Sequence, residues 1–300
     1  MKQQPENLNI ETKRVRKPAW LKVRIDTNER YTKTKKTVDN HHLHTICSSG
    51  RCPNMGECWG NGTATFMIGG DICTRNCKFC NTKSGHPLPL NTREPLRVAE
   101  SIQLMKLKHA VITSVDRDDL PDLGAQHWVE TILAIKKLNP NTTLEVLIPD
   151  FNGRADLLDK IIAANPEIIS HNLETVRRIS PEVRSVAKYD TSLQVIKHLS
   201  THGVISKSGI MAGLGETPDE VYTTMDDLLH AGCQILTIGQ YLQPSIKHYP
   251  VKEYVTPEQF KNYHDIGISK GFKGLESGPL VRSSYHADKH IDIFNHQKES

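Results

Sequence analysis

The 300-residue chain is long enough for one domain with a substantial buried core, and its 37% hydrophobic and 24% charged residues exclude a disordered or fibrous protein. No stretch of about 18 apolar residues occurs, and the polar N-terminus lacks a secretory or transit signal, so we expect a cytoplasmic protein without a membrane span. The net charge is +4, and residues 1–40 hold 11 Lys and Arg against 5 Asp and Glu. This basic arm is either a contact for nucleic acid or an acidic partner, or a solvated extension.

The order of the predicted elements along the chain is typical of a parallel α/β sheet. Residues 1–62 are polar and predict an irregular N-terminal extension. From Thr63 onward, short apolar runs alternate with amphipathic stretches, as in successive βα units. The predicted strands cover residues 63–68, 110–115, 143–148, 167–170, 204–211 and 235–238. The predicted helices cover residues 98–106, 124–138, 154–164, 191–202, 218–230 and 257–270.

Six βα units are too few for an eight-stranded barrel, so they predict a partial (β/α)6 TIM-like barrel over residues 63–276. Residues 277–300 are predicted to form a C-terminal tail over the open face. Unusual polar sequences follow the predicted strands, and they read GGDICTRNCKFC, DRDD, PDFNG, HNLET, AGLGE and GQYLQP. Because barrels carry their chemistry at the C-terminal ends of the strands, these loops predict one shared active face. The alternative is that they are ordinary polar loops.

Seven cysteines are present, and six of them fall within 34 consecutive residues. They are Cys47, Cys52, Cys58, Cys73, Cys77, Cys80 and the isolated Cys233. In a reducing compartment, dense and regularly spaced cysteines indicate a metal site rather than disulfides. The lone Cys233 stands in an apolar run and is expected to be buried.

The second triplet, Cys73-x3-Cys77-x2-Cys80, follows the first predicted strand. Three thiolates on one tight loop can bind three corners of a [4Fe–4S] cube, which leaves one iron open to a substrate. A zinc site is the alternative, and it would need a fourth ligand such as His86. Zinc sites favour paired C-x2-C spacings, and only Cys77 and Cys80 have that spacing.

This loop resembles the signature of the radical S-adenosylmethionine superfamily, whose members share a partial barrel. The resemblance implies that a cluster on these three cysteines passes an electron to S-adenosylmethionine. The cofactor then splits into methionine and a 5′-deoxyadenosyl radical. In such an enzyme the cofactors carry the radical chemistry, while the protein orients them and excludes water.

The first triplet, Cys47-x4-Cys52-x5-Cys58, adds a more specific resemblance. Together with the second triplet and the C-terminal sequence RSSYHA, it closely resembles the lipoyl synthase family, from Lys17 to Ala287. The resemblance implies a second, auxiliary [4Fe–4S] cluster on the first triplet, which is consumed as the sulfur source. It also implies Ser283 as the fourth ligand of that cluster, although Ser284 is not excluded by sequence.

Further residues resemble the family's S-adenosylmethionine contacts. Asn172 and Glu174 would bind the ribose hydroxyls, since an amide and a carboxylate together donate and accept hydrogen bonds. The remaining expected contacts are Gly213, Gly215, Gln240 and Leu242. Each has a plainer alternative: a helix cap for Glu174, a turn for the glycines and a core position for Leu242. Asp116 to Asp119 would touch the methionine end of the cofactor or the acyl-bearing partner, or form a solvated loop.

The implied function is the insertion of sulfur at C6 and C8 of a protein-bound octanoyl-lysine, with Cys73, Cys77, Cys80 and Ser283 at the reacting centres. The implied partners are octanoylated lipoyl-carrier domains or the glycine-cleavage H protein, an electron donor such as flavodoxin or ferredoxin, and an iron–sulfur carrier protein. Neither a membrane nor nucleic acid is expected as a partner. The nearest alternative is another radical sulfur-inserting enzyme, such as one resembling biotin synthase. The most distant is a zinc-stabilised nucleic-acid-binding module.

Overall fold

The computed structural model describes residues 16–22, 29–40, 44–49, 52, 54–60, 65–285 and 287. The strands are β1 (His44–Thr45), β2 (Thr65–Ile68), β3 (Ile72–Cys73), β4 (Lys83–Ser84), β5 (His109–Ser114), β6 (Thr143–Leu147), β7 (Ile168–Ser170), β8 (Ile205–Ala212), β9 (Ile235–Gln240) and β10 (Gly274–Gly278). The helices are α1 (Glu29–Asn40), α2 (Ile46–Ser49), α3 (Met55–Gly60), α4 (Glu94–Met105), α5 (Ala125–Leu138), α6 (Ala155–Ala163), α7 (Ser180–Val183), α8 (Tyr189–Thr201), α9 (Pro218–His230) and α10 (Pro257–Lys270). Short 3₁₀ turns lie at Ala19–Leu21 and Phe151–Gly153.

In the described part of the chain, eight strands form one sheet in the order β1-β2-β5-β6-β7-β8-β9-β10. Every pair from β2 to β10 is parallel, and only β1 runs antiparallel to its neighbour. Within the same residues, no pairing joins β10 back to β1 or β2, so the sheet stays open. The predicted partial barrel is therefore confirmed.

The six predicted βα units are all present, and their boundaries differ from the prediction by four residues or fewer. Helices α9 and α10 begin and end where the sequence predicts. Thr217 caps α9 as expected, because its hydroxyl accepts from the Glu220 amide and the Glu220 carboxylate accepts from the Thr217 amide. Local capping signals therefore located the helices well.

Several elements were not predicted, among them β10 and α1. Strand β10 has the sequence GLESG, which lacks β-branched and aromatic residues, and it forms only because β9 offers a parallel edge. Helix α1 lies in the segment that was expected to be irregular. It is polar, and its buried Val38 and the contact between the Tyr31 and Trp59 rings, 5.4 Å apart, hold it against the rest of the chain. Tertiary packing thus stabilises a helix that propensity alone does not predict.

Apolar side chains fill the layer between the sheet and the helices. One cluster joins β5 and β6 to α4, α5 and α6, with Ile112, Trp128 and Leu144 at its centre. A second joins β8 and β9 to α9 and α10. The described residues include no helix that is long and apolar enough to cross a membrane.

The barrel interior, in contrast, holds a buried ion pair. Lys207 on β8 donates to both carboxylate oxygens of Glu145 on β6, at 2.9 and 3.0 Å. Ser170 on β7 donates to the same carboxylate at 2.9 Å. The interior can hold these charges because they are paired and hydrogen-bonded. Removing one partner would lower the free energy of unfolding by about 3–5 kcal/mol.

The chain after β10 returns to the opposite edge of the open sheet. The carbonyl of Leu280 accepts from the Asn54 side chain at 2.7 Å, and Ser284 accepts from Thr65 on β2 at 2.9 Å. On β9, a Cβ at Gly239 would overlap the carbonyl of Val281. The tail therefore lies between the two edges of the sheet.

Candidate active site

The second cysteine triplet lies on a loop that follows β2 and closes over the C-terminal ends of the strands. Gly69 and Gly70 have φ values of 84° and 97° and turn the chain sharply after β2. Cys73 pairs with Ser84 in the small β3–β4 sheet, and its carbonyl accepts from Gly85 at 2.9 Å. The loop is thus fixed at both ends by backbone hydrogen bonds.

Backbone amides point at two of the three sulfur atoms. The Sγ of Cys73 accepts from Arg75 at 3.4 Å and from Asp116 at 3.3 Å, and the Sγ of Cys80 accepts from Thr82 at 3.5 Å. Burial, with the charge of Asp116 adding to it, raises the pKa of the Cys73 thiol to about 12. Amides aimed at sulfur are a common means of tuning an iron–sulfur cluster.

Arg75 lies within the second triplet and forms ion pairs with three nearby aspartates. Its guanidinium, 4% exposed, donates to Asp118 at 2.8 and 2.9 Å and to Asp150 at 2.8 Å, and lies 3.3 Å from Asp116. Burial by itself raises the pKa of Asp150, but the hydrogen bond from Arg75 and the charge of Arg75 outweigh burial. The pKa of Asp150 therefore lies below its ordinary value. The sequence singled out both loops that carry these acids but not their ion pairs with Arg75, because the three acids come from two loops that are distant in sequence.

The loop after β7 carries Asn172 and Glu174 side by side. Glu174 has a φ of 68°, which is a strained conformation for a residue with a side chain. Burial raises the pKa of Glu174, while the Arg184 cation and a hydrogen bond from Asn172 act against the rise. The Oδ1 atom of Asn172 is buried without a hydrogen-bond partner. An orphaned acceptor beside a strained carboxylate indicates a ligand that donates hydrogen bonds.

Arg184 and His171 form hydrogen bonds beside this loop and share Ser192 as a partner. Arg184 donates to the Leu173 carbonyl at 3.3 Å and to Ser192 at 2.9 Å. His171 also contacts Ser192, at 2.8 Å. Burial, with the charge of Arg184 adding to it, lowers the pKa of His171 to about 4, so its ring is neutral at physiological pH. Neither residue was singled out from sequence.

One cavity of about 280 Å³ connects these groups. All three cysteines of the loop, the pair Asn172 and Glu174, and Ser283 of the tail line this cavity. Its apolar walls come from Met67 and Phe79, from Leu147 and Ile148, and from Ile46 beside the first triplet. The cavity therefore reaches from the second triplet to the C-terminal tail.

The first triplet lies where the N-terminal extension meets the tail. Cys52 donates its amide to the Cys47 carbonyl at 2.9 Å, and Cys58 donates to Asn54 at 2.8 Å. Burial raises the pKa of Cys47 and of Cys52, and the Arg282 cation partly counters the rise at Cys52. Thr65 contacts Ser284, so the hydroxyl of Ser284 already has a partner.

The donor set of each triplet suits an iron–sulfur cluster. Each triplet supplies three thiolates, which can bind three corners of a cube. Among the described residues, the one group with three ligand atoms within 4.8 Å of one another is Asp159, His198 and His202, which contains no cysteine.

Four expected cofactor contacts lie outside the lining of the cavity. Gly213 and Gly215 belong to a turn whose amides are capped by Glu216, and the Gly215 carbonyl accepts from Arg178 at 2.8 Å. Gln240 is 1% exposed, and its side chain donates to three carbonyls and accepts from Val255. Leu242 is half-buried in the following loop. Their contact with the cofactor stays a prediction.

Comparison with known families agrees with the site. A model of the radical SAM superfamily matches residues 67–228, and a model of the N-terminal domain of lipoyl synthase matches residues 2–52. A lipoyl synthase from Bacteroides thetaiotaomicron is 73% identical over 93% of this chain and 99% of its own length. One from Treponema denticola is 61% identical over 92% of this chain and 95% of its own.

Solved structures with a similar fold are more distant in sequence. Methylornithine synthase is 11% identical, with a TM-score of 0.54 over 80% of this chain and 68% of its own. Streptococcus suis SuiB bound to S-adenosylmethionine is 9% identical, with a TM-score of 0.57 over 76% of this chain and 55% of its own. Both likenesses concern the fold alone.

Proposed function

This chain belongs to the lipoyl synthase family of radical S-adenosylmethionine enzymes, and on that premise we propose how its own residues serve the family's reaction. The enzyme is a sulfurtransferase that inserts two sulfur atoms, at C6 and C8, into a protein-bound octanoyl-lysine to form the lipoyl group. One observation carries the proposal: a single cavity is lined by the cysteine loop at one end and by Ser283 of the tail at the other.

The residues fit two [4Fe–4S] clusters and S-adenosylmethionine, because each triplet supplies three thiolates and the buried Asn172 acceptor lacks a donor. When bound, these groups supply the radical that removes hydrogen and the sulfur that replaces it. The protein must then hold the acyl chain between its two triplets and exclude water, because a carbon radical has to be in contact with the sulfur with which it reacts.

Cys73, Cys77 and Cys80 hold the cluster that binds S-adenosylmethionine. Asp116 lies 3.6 Å from the Cys73 sulfur, where its carboxylate can orient the cofactor's ammonium group. Asn172 and Glu174 bind the ribose hydroxyls, which supply the donors that the buried Asn172 oxygen lacks. Arg75 acts as a positioning residue, since it holds Asp116 and Asp150 together under the loop.

Cys47, Cys52 and Cys58 hold the auxiliary cluster, with a serine of the tail as fourth ligand. Ser283 lines the cavity, whereas the Ser284 oxygen accepts from Thr65. These two observations favour Ser283 over Ser284 as the fourth ligand of the auxiliary cluster. An alkoxide binds iron less durably than a thiolate does, so this corner of the cluster is the one that can be given up.

The octanoyl chain occupies the apolar part of the cavity. Met67, Leu147 and Ile148 line the cavity together with the second triplet and Ser283, and Phe79 lies within the cysteine loop. Apolar walls with a few polar groups at the ends are typical of small-molecule sites. The arrangement supports binding of an unactivated acyl chain, which offers no hydrogen bonds of its own.

The same proposal extends to organisation and partners. Residues 1–62 carry the auxiliary triplet, residues 63–276 form the barrel and residues 277–300 form the tail. The carrier is an octanoylated lipoyl domain or the glycine-cleavage H protein. A flavodoxin or ferredoxin would supply electrons, and an iron–sulfur carrier would rebuild the auxiliary cluster. A cytoplasmic location is supported by the seven free cysteines, which a reducing compartment preserves.

The first test compares single cysteine variants of the anaerobically reconstituted enzyme. Wild type should hold about eight irons per chain, and Cys52→Ala and Cys80→Ala should each hold about four. Cys52→Ala should still cleave S-adenosylmethionine but give no lipoyl product from an octanoylated carrier, whereas Cys80→Ala should do neither. Iron content, 5′-deoxyadenosine release and product mass are the measurements.

Cys233→Ala is the matched control. Its sulfur is buried against the Ile235 carbonyl at 3.2 Å, in the core and away from both triplets, so iron content and product should be unchanged. In the same assay, Ser283→Ala should lose sulfur transfer and Ser284→Ala should keep it. Wild-type product from Cys52→Ala would refute the assignment of the two clusters.

A further inference from the structure

Two helices on the outside of the barrel bring together three side chains that have no part in the chemistry above. Asp159 lies on α6, His198 lies on the last turn of α8, and His202 is the C-cap residue directly after α8. Asp159 and His202 are exposed, and His198 is partly buried. Their ligand atoms all lie within 4.8 Å of one another.

The spacing along α8 explains why the two histidines meet. Residues four apart lie on the same helix face, and the centroids of the two imidazole rings are 4.3 Å apart with their planes tilted by 39°. His198 Nε2 lies 2.7 Å from Asp159 Oδ1, and His202 Nε2 lies 3.9 Å from the same oxygen. Ligand atoms around one tetrahedral zinc ion are about 3.3 Å apart, so the two distances bracket the required spacing.

The hydrogen bonds also orient the ring of His202. Its Nδ1 lies 2.8 Å from the His198 carbonyl, so Nδ1 carries the proton and Nε2 keeps its lone pair toward Asp159. The C-terminal end of α8, where both histidines lie, carries a partial negative charge that favours a cation. Asp159 adds a full negative charge at the centre of the group.

We propose that Asp159, His198 and His202 form a binding site for a divalent late transition-metal ion, with zinc as the reference ion. Two imidazoles and a carboxylate are the borderline ligands that zinc takes, and they leave a fourth position for water. The ion replaces the proton shared by His198 and Asp159 and links α6 to α8. Because the site contains no sulfur, it is chemically distinct from both cysteine triplets.

The test uses the reconstituted enzyme with both clusters in place, so that the six triplet cysteines are occupied. The protein is equilibrated with zinc chloride without oxygen and dialysed against a weak chelator, and zinc and iron per chain are then measured by mass spectrometry. Wild type should retain one zinc per chain with its iron unchanged. His202→Asn and Asp159→Asn should each weaken zinc binding by at least about tenfold.

His264→Asn is the matched control, since His264 has the same 46% exposure as His202 and also lies beside an aspartate, Asp265. It should bind zinc as wild type does. All three variants should keep their iron and their lipoyl product, which shows that they fold. Equal zinc retention by His202→Asn, Asp159→Asn and wild type, or no retention by wild type, would overturn the proposal.

Discussion

At the scale of single residues, Glu174 is held in an unfavourable state by its surroundings. Its backbone is left-handed, and its half-buried, desolvated carboxylate has Arg184 as the nearby compensating cation. Both features cost free energy, of the order of 1–3 kcal/mol for the backbone alone. A strained carboxylate beside the unpartnered Oδ1 atom of Asn172 is prepared for a ligand before the ligand arrives.

We predict that the affinity for S-adenosylmethionine depends on the protonation of Glu174. Because burial raises the pKa of Glu174 above the ordinary glutamate value, affinity should fall with decreasing pH at a pH higher than that value. The folded state also holds this proton more tightly than the unfolded chain, so the contribution of Glu174 to stability decreases as pH rises through its folded pKa. Equilibrium binding of the cofactor across pH measures the midpoint.

Arg184→Met should move that midpoint to higher pH, because it removes the cation that opposes the rise in the pKa of Glu174. Arg154→Met is the control, since Arg154 is exposed and pairs only with Asp156 and the Pro121 carbonyl among the described residues. An unchanged midpoint in Arg184→Met would show that Glu174 does not titrate with the cofactor site.

At the scale of elements, the ends of β8 and β9 are joined by one side chain. Gln240, the last residue of β9, donates to the carbonyls of Ala212, Tyr241 and Glu253 and accepts from Val255. Gly213 must be small to admit it, since a Cβ there would overlap both the Gln240 amide and the Glu253 carbonyl. The ends of β8 and β9 are therefore set by packing between the loops that follow them.

Gly213→Ala should destabilise the protein by about 2–5 kcal/mol, the sum of left-handed strain and overpacking. Gly203→Ala is the matched control, because Gly203 has a φ of 72° but nothing within 4 Å of an added Cβ. The free energy of unfolding of Gly203→Ala should fall by only about 1–2 kcal/mol. Apparent melting temperatures of equally iron-loaded samples compare the two. Equal losses would mean that Gln240 moves aside at no cost.

At the scale of the whole molecule, two segments that are distant in sequence meet at the open side of the barrel. Asn54 is separated from Leu280 by 226 positions in sequence, yet its side-chain amide donates to the Leu280 carbonyl at 2.7 Å. Thr65 and Ser284 form a second link, at 2.9 Å. These contacts bring the segment of the first triplet close to the tail that carries Ser283.

We predict that Asn54→Ala loosens the tail and leaves the barrel intact. Losing this partly buried hydrogen bond should cost about 1–3 kcal/mol locally. Hydrogen exchange at the Tyr285 amide, which donates to Arg282 at 2.9 Å, should accelerate about tenfold or more, while exchange within β5 stays the same. Asn91→Ala, which removes only a local bond to the Arg93 amide, is the control. Unchanged exchange at Tyr285 would show that other contacts hold the tail.

Much of the fold and of the cluster chemistry follows from local sequence. Capping at Thr217 and apolar periodicity located the six βα units, because these signals act within a few residues. Strand β10 and helix α1 escaped prediction, since each forms on an edge or a surface supplied by distant residues. Arg75 and Arg184 escaped for the same reason, as their partners come from separate loops.

By itself, the sequence determined which donor types are available to a metal, since two spaced cysteine triplets offer soft thiolates and a serine pair offers harder oxygens, whatever the fold around them. Only the tertiary structure decided that Ser283 rather than Ser284 lines the cavity that the second triplet also lines. The physical reason is the distance along the chain between the residues involved. Donor type and spacing are properties of short peptides, whereas the contact between Thr65 and Ser284, 219 positions apart, depends on the return of the tail to the opposite edge of the open sheet.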